Sequence, residues 1–108
     1  MVDRRIAEIA RRYFDLLHSE GVAVRRIVLF GSFAGGNPHE WSDIDFIVVL
    51  DDSVTGTEFD RVSTALWTIG QKIDIRIEPL AISETEWLHD DVTPVVILAR
   101  SNGIELAA

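Results

Sequence analysis

Three aspartates and a Gly-Ser pair are the residues of this chain whose spacing could do chemistry. Asp43 and Asp45 flank Ile44 at the start of an apolar run, DIDFIVVL. In a strand, residues two apart project from the same face, so these two carboxylates stand side by side. Like charges this close raise each other's proton affinity unless a cation neutralises them. Hard oxygen donors at this spacing suit Mg²⁺ or Mn²⁺. A bare Asp-x-Asp is also what a solvated strand start looks like, so the pair alone decides nothing.

Gly31-Ser32 follows directly on the apolar stretch that ends at Phe30. Glycine there lets backbone approach a ligand closely, and the amides that follow can point at phosphate oxygens. Alone, such a pair is most often only a turn. Asp74 sits within KIDIRIE, opposite Ile73, Ile75 and Ile77 in an alternating pattern. Alone it is a polar outward position. On a strand beside Asp43 and Asp45 it completes a three-carboxylate cluster. Such a cluster can bridge two cations that clamp both the attacking and the leaving oxygen of a phosphoryl displacement.

The elements that must position these groups follow from periodicity. Val2 to Glu20 reads as an amphipathic helix, with Ile6, Ile9, Ala10, Tyr13, Phe14 and Leu17 on one face and Gly21 closing it. Val24 to Phe30 is strand one, Gly31 to Ser42 a loop with one helical turn after Ser32, and Asp43 to Leu50 a two-sided central strand. After the turn at Asp51 to Gly56, Thr57 caps a helix to about Ile69, ended by Gly70. Lys72 to Glu78 is strand three, with Asp74, Arg76 and Glu78 on its polar face. Ser83 and Glu86 have capping-box spacing for a short helix. Thr93-Pro94 opens a last helix that Asn102-Gly103 closes, and Ile104 and Leu106 pack back as a short strand or tail. This order predicts the α+β class, a small mixed β-sheet packed with helices.

The 108 residues suit a single domain, residues 1–108. A formal net charge of −8, from 10 Lys+Arg against 18 Asp+Glu, opposes nonspecific nucleic-acid binding. If the chain handles nucleotides, cations must neutralise their phosphates. There are no cysteines, which excludes disulfides, thiolate catalysis and cysteine-held zinc. No apolar run is long enough for a membrane span and no signal-peptide stretch opens the chain, so the expected location is cytoplasmic. His18, His39 and His89 have no zinc spacing and read as surface. Trp41, Trp67 and Trp87 read as core or interface, with Trp41 near enough to the aspartates to line the site. Asp90-Asp91 reads as a solvated turn.

Taken together, LFGSFAGGNPHEWSDIDFIVVL and the later Asp74 resemble the signature of the polymerase-β-like nucleotidyltransferase superfamily. The chain looks most like the minimal nucleotidyltransferases that act as antitoxin-like partners of HEPN-domain proteins. The resemblance implies that family's fold and a set of roles. Gly31 and Ser32 would hold the β- and γ-phosphates of ATP or another nucleoside triphosphate. Asp43 and Asp45 would bind both of two Mg²⁺ or Mn²⁺ ions. Asp74 would bind the catalytic one and help deprotonate an attacking hydroxyl. AMP would pass to that hydroxyl, on a HEPN toxin, with release of pyrophosphate. One departure stands out: many minimal members carry arginines where this chain has Phe33 and Gly35, so a guanidinium fork for phosphate is missing there. Lys72 and Arg76 are the candidates to replace it. The rival expectation is a binding module that keeps the fold and neutralises its partner by occlusion. Either way the acceptor must be brought by a second copy or a partner, so a dimer or heteromer is expected.

Overall fold

The computed structural model describes residues 2–35 and 42–108. Its elements run α1 (Arg4–Ser19), β1 (Val24–Phe30), α2 (Ser32–Gly35), β2 (Ile44–Leu50), α3 (Gly56–Gln71), β3 (Ile77–Ser83), α4 (Glu84–His89), α5 (Pro94–Asn102) and β4 (Ile104–Ala107). The strands form one mixed sheet in the order β3-β2-β1-β4. β1 pairs antiparallel with β2 and with β4, while β2 and β3 run parallel. This is the α+β arrangement expected from the sequence.

The central strand is apolar on both sides because both of its faces are covered. Ile44, Phe46, Val48 and Leu50 pack with Tyr13, Leu17, Val62 and Leu66 from α1 and α3. Ile47 and Val49 pack on the other face with Ile82, Trp87, Val96 and Ala99. The helices are held there by the expected local devices. Ser83 Oγ accepts from the Glu86 amide at 3.1 Å at the start of α4, and Pro94 opens α5. Asp90 does more than make a solvated turn. Its Oδ1 accepts from the Val92 and Thr93 amides, both at 2.9 Å, and Arg100 bonds the Trp87 and Asp90 carbonyls, both at 2.7 Å. These bonds tie α5 back onto α4.

Two expectations are corrected. α3 starts at Gly56, two residues earlier than a Thr57 cap would allow, and runs past Gly70, which is buried inside its last turn. A Cβ on Gly70 would stand 3.1 Å from Ile77 Cγ2 and 3.6 Å from Tyr13 Cε1, so glycine here serves close packing rather than termination. The larger correction concerns the third strand, which begins at Ile77 and not at Lys72. Lys72 to Arg76 is a turn. Ile73 and Asp74 amides still reach the Gly70 carbonyl at 2.9 and 3.0 Å, and the Ile77 amide reaches the Asp74 carbonyl at 3.2 Å. The alternation of isoleucines in KIDIRIE therefore ran across a turn: Ile77 is buried, but Ile75 is 80% exposed. Pro79 is tolerated within β3 because that strand lies at the sheet edge. No helix among the described residues is long and apolar enough to cross a membrane.

Tyr13 locks α1 to α3. Its ring stacks on Phe46 with centroids 6.0 Å apart, and its hydroxyl donates to the Leu66 carbonyl at 2.8 Å inside the core. Burial pushes the phenol well above its ordinary pKa, so it remains a donor at any physiological pH. Replacing it by phenylalanine keeps the packing and deletes one buried bond. Tyr13→Phe should therefore cost about 1 kcal/mol, read as a lower urea midpoint with an unchanged slope. An unchanged midpoint would show that the bond contributes nothing.

Candidate active site

The last residue of β1, Phe30, is paired with Asp45, and Asp45 is paired in turn with Glu78 on β3. One row across three strands thus carries two carboxylates on neighbouring strands. Because paired residues share a face, Asp45 and Glu78 project together, on the face that Ile47, Val49 and Ile82 line further along. Asp43, exposed and two residues before Asp45, adds its carboxylate at the rim of the same face. The helices α4 and α5 cover this face beyond the row but leave Asp43 and Glu78 open to solvent.

Gly31 closes the corner. Its φ of 74° is the left-handed region that glycine adopts freely. A Cβ there would fall on the Oδ2 of Asp45 and stand 3.1 Å from its Cγ. No other residue fits. Ser32 then opens the single turn of α2, in which the Ala34 and Gly35 amides bond the Gly31 carbonyl at 3.1 and 3.0 Å. The helical turn expected after Ser32 is present. His39 and Trp41 lie outside the described residues.

Burial raises the Asp45 carboxyl above its ordinary pKa, and the charge of Asp43 adds to the shift. Glu78 is raised as well, chiefly by hydrogen-bonding contact with the Asp43 carboxyl, then by burial and the charges of Asp43 and Asp45. Burial and the neighbouring Asp43 carboxyl act on both groups. Asp74 is in the opposite state. Its Oδ1 accepts from the Arg76 amide at 2.9 Å and from Nε at 3.0 Å, and its Oδ2 accepts from Nη2 at 2.8 Å. The Arg76 side chain holds its carboxyl below the ordinary range. Of the three aspartates expected to cluster, the structure brings Asp43 and Asp45 together and leaves Asp74 in the turn before β3, clasped by Arg76. The carboxylate that joins the pair is Glu78. Its signal was the polar face that it shares with Asp74 and Arg76 in the alternation.

Neither expected substitute for the missing arginines is free. Lys72 pairs with Glu20 at 3.5 Å and Arg76 with Asp74. Among the described residues no three His, Asp or Glu side chains stand already arranged as a metal cage. The donor set nevertheless fits a hard cation: oxygens only, two carboxyls under mutual repulsion, and a glycine cradle that leaves the Asp45 oxygens uncovered by side chain. Beside Gly31 a cleft of ≈ 790 Å³ opens between the end of β1, α2 and α5, lined by Phe30, Ala34, Leu98 and Asn102 among others. That size falls in the range of small-molecule sites.

Residues 4–95 match the family described as nucleotidyltransferase domain. The chain belongs to that family. Among curated proteins it is 32% identical over 60 residues to a candidate protein adenylyltransferase of Methanocaldococcus jannaschii, across 56% of this chain and 61% of that protein. The match spans about three fifths of this relative's length. Solved structures share its fold at low identity. A candidate nucleotidyltransferase from Sulfolobus solfataricus superposes with a TM-score of 0.60 at 17% identity, over 94% of this chain and 78% of that one. The complex of tri-AMPylated HEPN toxin with MNT antitoxin from Shewanella oneidensis gives 0.52 at 17% identity, over 94% and 71%. The expected nucleotidyltransferase family and its fold are both met.

The raised pKa of Asp45 carries a stability consequence. An acid whose folded-state pKa is raised weakens the fold once it ionises, and the fold recovers as pH falls through that pKa. Asp45→Asn should therefore raise the Tm of the metal-free protein at neutral pH, by a few degrees at most because the carboxyl is only partly buried and solvent screens its charge. The difference should shrink in acid, where the wild-type carboxyl is protonated. A scan in EDTA that finds the variant equal or less stable at neutral pH would contradict the charge crowding described above.

Proposed function

We propose that this domain transfers a nucleoside monophosphate, AMP from ATP, to a hydroxyl group in a reaction that depends on divalent metal. The observation that carries this reading is Asp45 pressed against Gly31, with Asp43 two residues before it, in a chain of the nucleotidyltransferase family. Asp43 and Asp45 would hold Mg²⁺ or Mn²⁺, whose positive charge offsets that of the triphosphate and of the departing pyrophosphate. Gly31 lets the Asp45 carboxylate sit against the backbone at the end of β1, and Ser32, which opens α2 beside it, would donate to a phosphate oxygen. The acceptor oxygen forms a bond to the α-phosphorus while the bond to the bridging oxygen breaks. Pyrophosphate leaves, and the hydroxyl proton passes to a carboxylate of the corner. The protein contributes positioning and charge rather than covalent chemistry.

The acceptor we propose is a HEPN-domain toxin, with this chain as its antitoxin in the cytoplasm. The AMPylated toxin in the Shewanella oneidensis complex supports the chemistry, and exposed apolar residues support a partner. Leu88, Val92 and Leu98 are 49%, 81% and 61% exposed on and between α4 and α5. The net charge of −8 favours a basic partner surface over nonspecific nucleic acid.

The second reading, occlusion without turnover, draws on Phe33 and Gly35 and on the engagement of Lys72 and Arg76 elsewhere. One experiment separates the two. The chain and a HEPN partner are incubated with ATP and Mg²⁺, and the partner is weighed by mass spectrometry. AMP addition by the wild type, reduced at least about 100-fold by Asp43→Asn or Asp45→Asn, supports the enzyme. A partner that is silenced but never gains mass establishes occlusion instead.

A further inference from the structure

We infer that Glu78, rather than Asp74, is the third carboxylate that faces the metal in this chain, and that Asp74 is a structural residue that builds the turn into β3. The inference rests on the metal-dependent reading above and assigns one more residue to the same corner. Its basis is strand register. Asp45 and Glu78 are partners on adjacent parallel strands, which places their Cα atoms about 4.8 Å apart with side chains on one face. Glutamate is one methylene longer than aspartate, so its carboxyl can reach along the row toward Asp43, which sits one strand repeat earlier. Solvent exposure of Glu78 leaves it free to turn onto an arriving cation without unpacking anything.

Asp74 lacks each of these properties. It stands four residues upstream, before the strand has begun, where the Arg76 carbonyl already accepts from the Ile44 amide at 2.8 Å. Both of its oxygens are engaged, by three bonds from Arg76. Two of the three come from the guanidinium and are charge-assisted. To serve a metal, Asp74 would have to break all three and leave Arg76 uncompensated beside the cation. Glu78 is held by no guanidinium; its hydrogen-bonding contacts are with the Asp43 and Asp45 carboxyls of the same corner.

The test is Mn²⁺ binding followed by electron paramagnetic resonance, with no nucleotide present, alongside the AMP-transfer assay and a thermal scan of each variant. Glu78→Gln should lower Mn²⁺ affinity about tenfold or more, since even an outer partner of a metal costs that much. It should lower transfer at least as far, without lowering Tm. Glu78→Asp should recover part of the affinity, which a merely structural role would not predict. Asp74→Asn should lower Tm and leave Mn²⁺ affinity within about twofold, the reverse pattern. If Asp74→Asn abolishes Mn²⁺ binding while Glu78→Gln leaves it intact, the assignment is overturned and the wider reading survives. If neither the wild type nor any variant binds Mn²⁺, both fall together. Should Asp74→Asn not fold, Arg76→Gln frees the same carboxylate, and Mn²⁺ affinity that still depends on Glu78 supports the assignment.

Discussion

The antiparallel pairing of β1 with β2 is the interaction on which the rest of this molecule depends. It sets Phe30 opposite Asp45, so that the turn leaving β1 and the carboxylates entering β2 meet at one corner of the sheet. Everything else serves that meeting. α1 and α3 cover one face with Tyr13, Leu17 and Leu66, and α4 and α5 cover the other with Trp87, Val96 and Ala99. The strand between is apolar on both sides from Phe46 onward and cannot slip by one residue. A slip would carry Asp45 into the core between Tyr13 and Leu66 and expose Phe46 in its place. The precision of the acidic corner is therefore set by the hydrophobic register beyond it.

That arrangement accepts a local penalty. Two acidic groups are raised in pKa, Asp45 by burial and the charge of Asp43, Glu78 chiefly by contact with the Asp43 carboxyl, in a protein that is already strongly acidic. Against this stand the buried side chains of both faces, each worth about 1.5–3 kcal/mol of burial. The repulsion is small beside that sum, so the fold tolerates it. A cation then has something to gain by binding, because it relieves a strain that the folded state maintains. The Asp74–Arg76 clasp shows the alternative. There the same kind of carboxylate is fully matched by its neighbour, and a cation would gain nothing.

Much of this was legible in the sequence because it rests on short-range patterns. The apolar stripe of α1, the run FIVVL of β2, the box of Ser83 and Glu86, and Pro94 at the start of α5 each report one element through its own residues. The Gly-Ser and Asp-x-Asp pair was legible for the same reason, since each half lies within a few residues of a strand end. The third strand was not. KIDIRIE alternates as a strand should, but alternation is a statement about side chains that presumes an extended backbone. In this chain the Asp74 side chain bonds the Arg76 amide, a local bond that competes with strand pairing. Pro79, which argues against a strand on sequence alone, is harmless at a sheet edge. The strand consequently starts five residues later than its pattern suggests.

The displacement of β3 decides which carboxylate the sheet offers. Parallel pairing begins at Ile44 with Ile77, so the partner of Asp45 is fixed by where β3 starts and by nothing in the acidic residues themselves. Buried Ile77 anchors that start, packed so closely against Gly70 that a Cβ there would stand 3.1 Å from its Cγ2. Had the chain entered the strand at Lys72 with the same parity, Asp74 could have taken the place that Glu78 holds. The identity of the third acid thus follows from the close approach of a glycine in α3 to an isoleucine in β3. It is a packing contact on the opposite face of the sheet from the chemistry it governs.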